Sequence, residues 1–136
     1  MRIVFPFERQ QTETFGIISR PVADVFFWSK KLTGWIPVKM VVDTGADYTL
    51  LPSWLAEKLG INLTKDCRRF ATYGVGGKQN VYLAKKGWKA RLGTWEKIVT
   101  LGFLGDDNVP PLLGRLHFSE TFKVTFVDYK TKFESP

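Results

Sequence analysis

The residues best placed to do chemistry lie in one short run, Val41-Val42-Asp43-Thr44-Gly45-Ala46-Asp47. An apolar strand runs directly into a carboxylate, then a small hydroxyl residue, then glycine. An Asp at the end of a core strand is costly unless it is satisfied or used. Thr44 supplies a hydroxyl, and Gly45 lets the backbone turn and approach a ligand closely. Local physics alone also allows a plain turn in which Asp43 accepts backbone amides. Other chemistries are thinly supplied. Cys67 is the single cysteine and His117 the single histidine. That excludes an intrachain disulfide framework and a four-ligand zinc finger. A Ser-His-Asp arrangement would have to use His117, which reads as a surface or packing residue. Cys67 has no base near it in sequence and reads as structural.

The elements that would position this run are mostly short strands. Stretches rich in β-branched and aromatic residues predict strands at Ile3–Phe7, Phe15–Ser19 and Val22–Trp28. Ile36–Val42 is apolar except for Lys39, which suits a strand buried on both faces. Tyr48–Leu51 predicts a short strand, and further strands are expected at 68–73, 79–92 and 95–104. Ser53 as N-cap, Leu55 and Leu59 on one face, and Gly60 as the stop predict a helix over Trp54–Leu59. Asp106–Pro111 reads as a loop and Arg115–Phe122 as a second short helix. Lys123–Tyr129 reads as a strand followed by a polar tail.

The chain has 136 residues, 44% of them hydrophobic and 24% charged. That composition suits one globular domain spanning 1–136. There are 20 Lys and Arg against 13 Asp and Glu, a formal net charge of +7. The excess concentrates in Lys78, Lys85, Lys86, Lys89, Arg91 and Lys97, with Glu96 the only acid among them and Tyr82, Trp88 and Trp95 interleaved. Such a stripe can track a phosphate backbone, but a solvated sheet face with lysines guarding an edge is the plainer reading. No apolar run approaches a membrane span, and Glu8 follows Met1 too closely for a signal peptide. The expected compartment is reducing and cytoplasmic.

Three landmarks occur in order. Val41–Asp47 continues into Thr49-Leu50-Leu51-Pro52 and then Trp54–Gly60. Tyr73-Gly74-Val75-Gly76-Gly77 follows, and then Leu112-Leu113-Gly114-Arg115. Together, over roughly residues 36–122, they resemble the retropepsin-like aspartic proteases, in particular the cellular and microbial branch. The resemblance implies a closed acid-protease-type β-barrel with a flap hairpin and one or two short helices. It implies Asp43 as the catalytic carboxylate and Thr44 bonding across a two-fold axis to its twin's loop. Gly45 would present its carbonyl to substrate, Ala46 would line a pocket, and Asp47 would hold substrate backbone, oriented by Arg115. Leu112 and Leu113 would support the active-site loop, with Gly114 permitting close approach. Val75, Gly76 and Gly77 would cover the substrate.

Only one Asp-Thr-Gly is present, so two carboxylates would require a homodimer. Either Lys123–Phe133 or Ile3–Phe7 would supply its interface strands. The implied partners are a peptide or protein substrate and a second copy. No cofactor, metal or membrane is implied, and nucleic acid is not the expected partner. Apolar pockets from Ala46, Val75 and Leu113 imply cleavage between bulky hydrophobic residues. The competing readings are a catalytically silent peptide-binding or dimerisation module of the same fold, and a basic β-barrel binding single-stranded nucleic acid.

Overall fold

The computed structural model describes residues 1–74, 77–105 and 108–136. The strands, in chain order, are β1 Arg2–Pro6, β2 Glu8–Thr12, β3 Gly16–Arg20, β4 Val22–Ser29, β5 Gly34–Val42, β6 Thr49–Pro52, β7 Cys67–Gly74, β8 Gly77–Ala84, β9 Trp88–Leu92, β10 Trp95–Val99, β11 Leu101–Leu104, β12 Leu112–Leu113, β13 Lys123–Val127 and β14 Lys130–Glu134. One α-helix, α1, spans Trp54–Leu59.

The main sheet has nine strands in the order β10-β9-β4-β5-β12-β6-β11-β8-β7. β4 and β5 form a long antiparallel hairpin, with Val22 opposite Val41 at one end and Ser29 opposite Gly34 at the other. Their alternation puts Val25, Phe27, Val38 and Met40 into the core. Pro37 and Lys39 stay exposed, so β5 is buried on one face rather than on both. Among the described residues the end strands β10 and β7 are not paired with each other. The strand order is therefore open, without the continuous ladder of a fully closed barrel.

Helix α1 has the expected bounds. Gly60 ends it at φ 84°, with its amide bonded back to the last turn. Ser53 occupies the N-cap position, but its side chain makes no capping bond. The long stretches 79–92 and 95–104 each break in two. Gly87 allows the first break: a Cβ there would lie 2.3 Å from Ile98 Cγ2. In place of a second α-helix, Arg115–Phe122 forms turns and a 3₁₀ turn at Ser119–Thr121.

The polar tail is a strand. β14 pairs with β13 on one side and β1 on the other, all antiparallel. Thr131 and Phe133 are fully buried there. Both terminal segments expected to build a dimer sheet are thus paired within one chain, leaving β1 and β13 as the outer strands. β2, which is polar and was not expected as a strand, pairs with β3 in a separate two-stranded ribbon.

Candidate active site

β5 delivers Asp43 to the surface as its last inward residue gives way to a turn. The Asp43 amide donates to the Leu113 carbonyl at 3.1 Å, and the Asp43 carbonyl accepts the Ala46 amide at 3.2 Å. Asp43 Oδ1 accepts the Gly45 amide at 3.0 Å. A Cβ on Gly45 would sit 3.3 Å from that oxygen, so glycine gives the amide unhindered access. Asp43 is half-buried, whereas Thr44 and Gly45 are exposed. The Thr44 hydroxyl has no hydrogen-bond partner among the described residues.

β12 is only two residues long, yet it fixes this loop from below. It runs parallel to β5, Leu112 beside Val41 and Leu113 beside Val42, and antiparallel to β6 through Leu112 and Leu50. Leu113 is fully buried. Its carbonyl accepts the Asp43 amide, and its side chain is enclosed in the core of this chain rather than exposed as the pocket-lining position expected from sequence would be. Gly114 is where two backbones touch: a Cβ would lie 2.3 Å from the Tyr48 carbonyl carbon and oxygen. The Gly114 amide donates to Thr49 Oγ1 at 3.1 Å in a buried contact. Thr49, fully buried, is a supporting residue whose role was not assigned from sequence. Its signal was a lone hydroxyl residue at the head of an apolar strand.

Past Gly114 the chain stays zipped to the loop. The Arg115 amide donates to the Ala46 carbonyl at 3.0 Å, and the Leu116 amide to the Asp47 carbonyl at 2.8 Å. The Arg115 guanidinium pairs with the Asp47 carboxylate. Their side chains are 48% and 72% exposed, so the pair contributes little stability. These two side chains, with Tyr48, Leu116 and Glu120, line a surface depression beside the loop.

The flap expectation falls on the β7–β8 hairpin, whose register runs from Cys67 opposite Ala84 to Gly74 opposite Gly77. Gly77 takes φ 93°, a conformation that favours glycine. Val75 and Gly76 lie outside the described residues. Tyr73, next to the tip, is 77% exposed. Lower down, Phe70 meets the Tyr48 ring edge-on at 6.3 Å, joining the hairpin to the Asp43 loop. Burial, and secondarily the charge of Asp47, push the Tyr48 phenol above its usual value.

The remaining candidate nucleophile and base stand apart from this loop's bonding. His117 is exposed, with Nδ1 2.7 Å from Thr100 Oγ1. Cys67 is buried, and burial, with a smaller contribution from Asp66 against an opposing one from Lys85, raises its thiol above the usual value. A protonated thiol is a poor nucleophile. Native protein at pH 7 is therefore expected to resist iodoacetamide at Cys67 and to react at least about tenfold faster once unfolded. Equal rates by mass spectrometry would contradict that. Among the described residues no group of three or more His, Cys, Asp or Glu could hold a metal ion.

Comparison with known proteins agrees with this architecture. Residues 31–116 match the family model described as "gag-polyprotein putative aspartyl protease". The chain belongs to the retropepsin-like aspartyl protease family. Among solved structures it is similar to a retropepsin-like aspartic protease from Rickettsia conorii, with TM-score 0.69 and 19% identity, covering 97% of this chain and 98% of that one. At that identity the likeness shows the fold. No curated protein sequence matched.

Proposed function

We propose that this protein is an aspartic endopeptidase that works as a homodimer, each chain contributing Asp43 to one shared site. The observation that carries the reading is the Asp43 loop. It is a carboxylate at the end of a core strand, held by its backbone on Leu113 and by Oδ1 on the Gly45 amide. One carboxylate cannot both accept a proton from water and donate a hydrogen bond to a carbonyl. Two, sharing one proton, can.

In the proposed dimer the ionised Asp43 takes a proton from a water as its oxygen attacks the scissile carbonyl. The protonated Asp43 of the second copy donates to the carbonyl oxygen, which becomes a hydroxyl on the tetrahedral carbon. On collapse the first Asp43 gives its proton to the departing nitrogen, the C–N bond breaks, and one hydroxyl of the tetrahedral carbon returns its proton to the second Asp43, leaving a carboxylic acid product and the pair as it began. Thr44, exposed and without a partner among the described residues, is available to bond across the axis. Asp47, oriented by Arg115, holds substrate main chain. Gly45 offers its carbonyl to it, and Ala46, half-buried beside the dyad, lines a small apolar pocket. Val75, Gly76 and Gly77 belong to the proposed cover over the substrate.

Digestion of an unbiased peptide mixture between about pH 3 and pH 7 tests this. The rate is expected to peak in mildly acidic solution, where the pair carries one proton, and to collapse as that proton is lost. Cuts should fall between bulky hydrophobic residues in extended segments. A rate rising continuously toward pH 9, or cuts dominated by Lys or Arg before the scissile bond, would overturn the reading.

A further inference from the structure

The pole of the molecule remote from Asp43 carries a second site. β5 is nine residues long, so its two ends lie about 26 Å apart. At the end away from Asp43, three loops converge. Lys30 follows β4, and its amide donates to the Leu59 carbonyl at 3.0 Å. Buried Ser29 donates to the Lys58 carbonyl at 2.6 Å, tying the β4–β5 turn to α1. A Cβ on Gly60 would meet Lys31 N at 3.0 Å, so these loops touch backbone to backbone. The third loop is the bend after β8. There the Lys85 amide donates to the Asp66 carbonyl at 2.9 Å and Lys85 Nζ to the Lys65 carbonyl at 3.1 Å.

Between these loops is a cavity of about 250 Å³ lined by Lys30, Lys65, Lys85 and Lys86 around Trp88. Its floor is apolar, from Ile61 and Ala84, and its one acid is Asp66. Asp66 Oδ2 already accepts the Asn62 amide at 2.7 Å. None of the four lysines forms a salt bridge among the described residues. Lys30 Nζ lies 6.0 Å from the centre of the Trp88 ring, and the indole N–H is spent on the Trp28 carbonyl at 2.7 Å, which fixes the ring as a wall. By contrast, Lys89 and Arg91 sit over Trp28, Trp35 and Phe26, and Trp95 packs against Phe118 and Phe122. The basic stripe of the sequence is thus divided, and its Lys85-Lys86-Trp88 part faces an open recess.

We propose that this recess binds single-stranded nucleic acid, the lysines holding backbone phosphates and Trp88 offering a stacking face to one base. Four ammonium groups can hold phosphates as point charges. An aromatic wall beside cations is the pattern that tracks single strands.

Fluorescence anisotropy of the full chain with a labelled, mixed-sequence strand of about 12 nucleotides tests it. The logarithm of the affinity should fall against that of salt with a slope of about −2 to −3 for four phosphate contacts. The variant Lys65→Gln/Lys85→Gln/Lys86→Gln should bind at least about tenfold more weakly and flatten the slope by about 2. Exposed Lys86→Gln alone should flatten it by about 0.7. Strand binding should quench tryptophan emission in wild type and much less in Trp88→Phe. Salt-insensitive or absent binding, or unchanged affinity in the triple variant with an unchanged melting temperature, would overturn the proposal. Equal binding of the matching duplex would remove the stacking role. Equal competition by poly-glutamate of the same charge would assign the recess to acidic polypeptides instead.

Discussion

Asp43→Asn is expected to cut peptide hydrolysis by on the order of 10³-fold or more while leaving a folded protein. The substitution is nearly isosteric. An Asn Oδ1 can still accept the Gly45 amide that Asp43 Oδ1 holds at 3.0 Å, and the backbone bond to Leu113 is unaffected. Stability should change by no more than about 1 kcal/mol. What is lost is a group able to take a proton from water and return it. Purified variant retaining activity within tenfold of wild type would show that the chemistry lies elsewhere.

The second large effect is structural. Gly114→Ala places a methyl 2.3 Å from the carbonyl carbon and oxygen of Tyr48 and 2.9 Å from the Thr49 amide nitrogen. All three are backbone atoms, so no side chain can swing away. The strands must separate, and the buried bond from Gly114 to Thr49 Oγ1 is disturbed with them. We expect a loss on the order of 3 kcal/mol, read as a melting temperature lower by about 10 °C. Gly105→Ala is the control: a Cβ there meets nothing within 4 Å, so it should be close to neutral. Equal melting temperatures for the two variants would contradict the close approach.

The Asp43 loop is legible in sequence because its parts are local. An apolar strand, an acid, a hydroxyl and a glycine within a few residues give a turn whose carboxylate accepts the next-but-one amide. Helix α1 is legible for the same reason, with Gly60 at its left-handed stop. What clamps the loop is not local. The resemblance gives Leu112-Leu113 a supporting role, but nothing in the two residues themselves says that they insert parallel to β5 and antiparallel to β6. Thr49 gains its buried role only when Gly114 arrives from 65 residues away.

The tail is illegible for a different reason. β13 and β14 turn through Asp128 and Tyr129, both with positive φ (50° and 57°). Such a turn is usually announced by Asn-Gly or Asp-Gly, and Asp-Tyr gives no such signal. β2 is hidden by its polar composition, because a ribbon without a buried face needs no alternation of apolar residues.

The central claim is that two copies of Asp43 make one site, and mixing tests it most directly. Wild type is held at fixed concentration and equilibrated with increasing Asp43→Asn protein, and hydrolysis per wild-type chain is measured. If one functional Asp43 comes from each chain, mixed dimers are inactive. At a ninefold excess of variant the activity per wild-type chain should then fall to about one tenth. Activity per wild-type chain that stays constant, at concentrations where sedimentation shows the chains exchanging, would mean that a single chain carries the whole site.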